Sequence, residues 1–226
     1  MTAPPQPDGS QPPRDLIDAV LGLAPGDPIA LVRRQRDKVA VATQGSHQAL
    51  FDPDLSAGDP AALTRQERLQ VGLYACRLTP SPALAAHYRT ALAEAGLDAR
   101  RLAVAADGPL DVPAAGSDDP RLAALLGFTR TLVERPVDGD RAALQRLPTA
   151  GLSTAAVVAL AQLIAYLSYQ TRLVAGLAAM AAAQPLQASN RQAAGAGRPA
   201  AGTANDGPAS GAEAGIIRSH GFTNES

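Results

Sequence analysis

Residues Ser153–Tyr169 read STAAVVALAQLIAYLSY, a hydroxyl residue followed by apolar side chains on most of a helical circumference. A serine at the start of such a run can accept hydrogen bonds from the first free helical amides. A helix that is apolar nearly all round is buried, either at the centre of a bundle or in a subunit interface. Its apolar stretch, Thr154–Leu167, is interrupted by Gln162 and followed by Gln170 and Arg172. That is shorter and more polar than the ~20 apolar residues a membrane span needs. The stretch therefore predicts a buried helix of an all-α domain.

The neighbouring segments follow the same helical period. Pro120–Arg135 places Leu122, Leu125, Leu126, Thr129, Leu132 and Val133 on one side, and Gly139–Leu147 reads as a short helix. Thr64 and Glu67 form a capping-box pattern at the start of a helix that runs to Thr79, where Pro80 and Pro82 stop it. Pro82 opens the next helix, to about Ala95, with Gly96 beyond its end. A shorter helix is expected near Asp98–Ala106, then a Gly/Pro loop over Asp107–Asp118. Nearer the N-terminus, Arg14–Leu23 and Pro28–Gln44 read as helices, and Gly45–Asp59 as a loop or broken helix containing His47 and Phe51. The basic cluster Arg33, Arg34, Arg36 and Lys38 reads as a solvated face, diluted by Asp27 and Asp37. No segment sustains a period of two, so no sheet is expected.

Composition agrees. Apolar residues make up 46% of the 226-residue chain but aromatics only 3%, with no Trp, so the core must be built from Ala, Leu and Val. With 20 basic and 21 acidic residues the formal charge is −1, and there is no basic stripe for nucleic acid and no polybasic membrane patch. Residues 1–13 are Pro- and Gln-rich and are expected to be disordered, without the apolar core of a secretory signal. The Ala/Gly-rich tail 184–226 is expected to be disordered too. The domain plan is thus a helical extension over 14–60 and a helical domain over 61–183, with the cytoplasm as the default compartment.

One cysteine excludes an intramolecular disulfide framework and a Cys-rich zinc site. Cys76 continues the stripe Leu69, Leu73, Cys76, Pro80, and so reads as a buried, inert thiol. His87 is the candidate general base, because an imidazole titrates near neutrality. His47 and His220 have no metal-ligand spacing to each other or to carboxylates. No phosphate loop, nucleophile elbow or H-E-x-x-H is present, and no cofactor is implied.

Taken together, a capped helix carrying Glu67 and ending in Arg77-Leu78-Thr79, a tight turn, a helix with His87, then LQRLPTAGLSTAAVV (144–158) leading into ALAQLIAYLSYQTRLVAGL (159–177) form a pattern. It resembles the carboxymuconolactone decarboxylase-like (CMD) family, which includes alkylhydroperoxidase D-type proteins. The resemblance covers about Thr64–Leu177, and the N-terminal extension resembles that of a subfamily known as CMD domain proteins. It implies an alkylhydroperoxidase D-like bundle, commonly assembled into homo-oligomeric rings. Peroxidase members carry Cys-x-x-Cys-x-x-x-His after the Glu-bearing helix, and their dithiol reduces peroxide. Here the turn is LTPSPALAAHY (78–88). Counting back from His87, the two thiol positions fall on Ala83 and Pro80; counting forward from Thr79 with one residue deleted, the first falls on Ser81. The family histidine matches His87. Glu67 is the candidate for the family carboxylate, although the register can also place Leu69 there.

Three functions follow. The first is a peroxidase-related member with a degenerate redox site, partner to an active homologue. The end segment IIRSHGFTNES (216–226) resembles the opening of companion peroxidase-domain proteins. The second is a cofactor-free lyase or isomerase acting through His87 on a small organic acid, with Arg77 and Arg89 as nearby anion binders. The third is a pure interaction module.

Overall fold

The computed structural model describes residues 15–52, 61–110 and 119–196, with side chains through Gln184. The terminal segments, including His220 and IIRSHGFTNES, lie outside the described residues, as does much of the expected loop over Asp107–Asp118. Among the described residues there are nine α-helices and one 3-10 turn, and no strand. The protein is all-α. The chain divides into two compact units, 1–184 and 185–226. Of the second, the structure describes only the helical backbone of 185–196.

The first helix of the main domain, α4 (Arg65–Leu78), starts as its sequence predicts. The Thr64 hydroxyl accepts from the Glu67 amide at 3.2 Å, and the Glu67 carboxylate accepts from the Thr64 amide at 2.7 Å. After Thr79 the chain turns tightly, the Ser81 amide donating back to the Cys76 carbonyl at 3.0 Å. Pro82 then opens α5 (Pro82–Glu94), which ends at Gly96 with a left-handed φ of +79°. The amides of Gly96 and Leu97 return to the carbonyls of Ala93 and Leu92, closing the last turn. α4 and α5 approach closely because residue 72 is glycine: a Cβ there would lie 3.1 Å from two ring carbons of Tyr88.

α7 (Pro120–Glu134) and α9 (Thr154–Ala196) complete the core. Leu84, Leu92, Leu125, Leu160, Leu163 and Leu167 are fully buried, but the core is not purely aliphatic as expected: Phe51, Tyr74, Tyr88, Phe128 and Tyr166 are buried with them. α6 (Ala99–Asp107) and α8 (Arg141–Thr149) are short, the latter preceded by the 3-10 turn over Pro136–Asp138. The last helix exceeds its expected length, running past residue 184 into the expected disordered tail as far as Ala196. Over Thr154–Gln184 it is long and apolar enough to cross a membrane, with mean hydropathy 1.2 in its most apolar window, of which 44% is buried in the protein. That length was not evident from the run Thr154–Leu167 alone.

The N-terminal extension differs from its sequence reading in two places. The expected single helix Pro28–Gln44 is two, α2 (Pro28–Arg34) and α3 (Asp37–Phe51), and α3 continues through the residues expected to form a loop. Ala40, Thr43, His47 and Phe51 recur at three- and four-residue spacing and face inward, so tertiary burial carries the helix past Gly45 and Ser46. The break lies at Arg36, whose φ of −117° and ψ of 53° are not helical.

The second difference is the basic cluster. Arg34, Arg36 and Lys38 are exposed, but Arg33 is not: its side chain is 6% exposed and pairs with Asp15 at 2.8 Å and Asp18 at 2.6 Å. Burial disfavours the guanidinium charge, but hydrogen bonds and attraction from both carboxylates outweigh it and raise its pKa. Asp15 also caps α1 (Leu16–Leu21), so one carboxylate both starts a helix and anchors its neighbour. A second buried guanidinium, Arg68, donates to the carbonyls of Leu63 at 3.2 Å and Leu50 at 2.7 Å, fixing α3 to the start of α4. On its other side α3 meets α9. The Thr43 hydroxyl gives its proton to the Val39 carbonyl, so the Tyr169 hydroxyl donates to it, at 3.0 Å.

Candidate functional site around His47 and His87

The turn after α4 carries no sulfur, and the one cysteine sits behind it. Cys76 is 1% exposed within the core cluster, and burial pushes its thiol up to about 12. A nucleophilic cysteine needs thiolate character and access, and Cys76 has neither.

The two expected site residues are not brought together. Glu67 lines a cleft of about 770 Å³ together with Gln70, Tyr74, Arg77 and Leu126. Its carboxylate is already committed. It holds the α4 capping box and pairs with Arg121 at 2.6 Å, while Arg121 also donates to the carbonyls of Ala62 and Gly151. Glu67 therefore reads as a structural hub joining α4, α7 and the turn before α9. His87 lines a separate, shallow hollow of about 440 Å³ with Ala19, Val20, Ala83, Ala86 and Thr90. The proposed anion binders are also engaged elsewhere. Arg77 donates to the carbonyls of Ala105 and Gly108 at the end of α6, and exposed Arg89 lies 3.8 Å from Asp107.

What His87 does meet is a second imidazole. The ring of His47, carried by α3, is centred 6.1 Å from that of His87. His47 also lies 4.6 Å from Phe51, 6.1 Å from Tyr166 and 6.5 Å from Tyr88. Burial, then repulsion from His87, pushes the His47 imidazole down to about 4, with Asp52 and Asp15 acting the other way. Burial also lowers His87, against Glu94. Both rings are therefore neutral at pH 7. Deeper in, fully buried Tyr88 donates to the Gln170 side-chain oxygen at 2.6 Å. Among the described residues, the buried polar atoms His47 Nδ1 and Gln170 Nε2 have no hydrogen-bond partner. Burial raises the Tyr88 phenol far above its ordinary range, so it remains a neutral donor.

The sequence reading missed this pair, because it placed His47 in a loop. The available signal was the spacing of Ala40, Thr43, His47 and Phe51, which puts His47 on the buried face of a helix. Among the described residues no group of three or more His, Cys, Asp or Glu side chains is placed to hold a metal ion. No protein-family model and no curated protein sequence matches the chain.

Proposed function

We propose that this chain is an alkylhydroperoxidase D-like, CMD-type protein with a degenerate redox site, acting as a self-associating partner of an active homologue in the cytoplasm. The observation that carries this reading is the state of Cys76. A thiol peroxidase cycle needs a thiolate to attack the peroxide oxygen and a second thiol to resolve the sulfenic acid. The lone thiol is buried, with its pKa at about 12, and Pro80, Ser81 and Ala83 stand where the family has its sulfurs. Self-association is supported by one face of α9, on which Val158, Tyr169 and Met180 recur every eleven residues at 52%, 42% and 44% exposure.

Three measurements test it together. Peroxide consumption by the wild type and by Cys76→Ser should equal the buffer background. Light scattering should report a mass above the monomer, falling with Val158→Glu. A Cys-x-x-Cys homologue should co-purify at micromolar concentration. Peroxide turnover that requires Cys76 overturns the proposal.

A second reading is favoured by the His47–His87 pair: proton transfer on a small organic acid with His87 as the base. A neutral imidazole beside a surface hollow suits a base at pH 7. His87→Ala should then abolish turnover of the acid while leaving the fold intact, and unchanged turnover in that variant eliminates this reading.

A further inference from the structure

We propose that His47 and His87 form an acid-operated latch, which holds α3 against α5 and α9 at neutral pH and releases it when the imidazoles are protonated. The geometry of His47 carries the argument. A neutral imidazole has one N–H and one bare nitrogen, whereas an imidazolium has N–H on both. His47 Nδ1 is buried and has no partner among the described residues. Protonated in place, His47 would present a charged donor to an apolar and aromatic wall, and a buried unpaired donor is costly. His87, 6.1 Å away, would add a second positive charge. Swinging α3 outward hydrates both rings at once.

The charged and titratable groups around the pair come from every adjoining element. Asp52 at the end of α3 and Asp15 before α1 favour protonated His47, although Asp15 is occupied by Arg33. Glu94, further along α5, favours protonated His87. Tyr88 from α5 and Tyr166 from α9 remain neutral, as does Cys76 from α4. No carboxylate hydrogen-bonds either ring among the described residues, so attraction from Asp52, Asp15 and Glu94 leaves both imidazoles lowered. The sign follows from that direction. Because the docked pKa lies below the undocked one, docking is fully favourable above the ordinary histidine value and weakens as pH falls toward the docked value. Between about 6.5 and about 4 the docking equilibrium falls by up to about tenfold per pH unit for one imidazole, about 80-fold over that span and about 300-fold at the limit below both values. Release would uncover the faces of Tyr88 and Tyr166 that His47 covers.

Hydrogen exchange on the full chain from pH 7.5 to 4, corrected for intrinsic rates, tests the latch. Protection of amides in α3 should fall by up to about tenfold per pH unit below 6.5, while amides in α4 and α7 hold their protection. His47→Gln should flatten the α3 slope. Should that variant fail to fold, His47→Phe and direct imidazole titration in the wild type, with His47 expected below 5, replace it. A pH-independent α3, an unchanged slope in a folded His47 variant, a His47 titrating near 6.5, or an equal loss of protection in α4 and α7 each overturn the latch.

Discussion

Replacing Arg33 by Met tests whether the buried ion cluster anchors the N-terminal extension. Arg33 fills its site at 6% side-chain exposure, with Asp15 at 10% and Asp18 at 16%. Methionine fills much of the same volume but removes the charge facing both carboxylates. Asp18 keeps Arg34 at 2.8 Å, so the main loss falls on Asp15. Removing one partner of a buried pair costs about 3–5 kcal/mol, and the retained Arg34 contact puts this case near 3. For a chain of this size each kcal/mol lowers Tm by about 2–4 °C, so thermal denaturation followed by circular dichroism should shift by about 6–12 °C. Limited proteolysis should cut near α1 and α2 before the rest of the bundle. Asparagine at position 15 keeps the capping acceptor of α1 but not the charge. Asp15→Asn combined with Arg33→Met should therefore recover about 1–3 kcal/mol relative to additivity. A single-variant cost below about 1 kcal/mol, or strict additivity in the double variant, refutes an energetic role for the cluster.

Cys76 should react with a disulfide reagent at pH 8 at least about a thousandfold more slowly in the native protein than in guanidinium, since a thiol at about 12 has few thiolates. Gly72→Ala should cost about 1–3 kcal/mol in chemical denaturation, because its methyl meets the Tyr88 ring and that ring is tethered through Gln170. Tyr88→Phe should cost about 1–3 kcal/mol by leaving Gln170 wholly unpaired, and Tyr88→Phe with Gln170→Leu should recover most of it. Glu67→Gln should lower stability by about 1–2 kcal/mol through loss of its pair with Arg121, yet leave any His87-dependent activity unchanged.

The helices of the main domain were legible because their signals are local. The Thr64–Glu67 box, Pro82 and Gly96 mark ends by capping chemistry that needs no tertiary partner. The extension was less legible for the opposite reason. Gly45 and Ser46 are weak helix formers, and only burial of Thr43, His47 and Phe51 keeps α3 wound through them. Arg33 looked like its exposed neighbours because its partners, Asp15 and Asp18, belong to another helix. The site followed the same logic. His87 could be singled out from its own helix, but its pairing with His47 depends on how the extension folds back. Glu67 was visible as a cap, and its link to Arg121, far along the chain, shows why that carboxylate stands away from His87.

The Arg68 guanidinium grips the Leu50 and Leu63 carbonyls, which lie on either side of the connection between the extension and the main domain. The span between those two points is thus set by one side chain, independently of how many residues join them. Doubling the length of such a connection costs only about 0.6 kcal/mol of closure entropy once its ends are held. Lengthening the chain between Leu50 and Leu63 should accordingly leave the docking of α3 intact, because one guanidinium holds both ends.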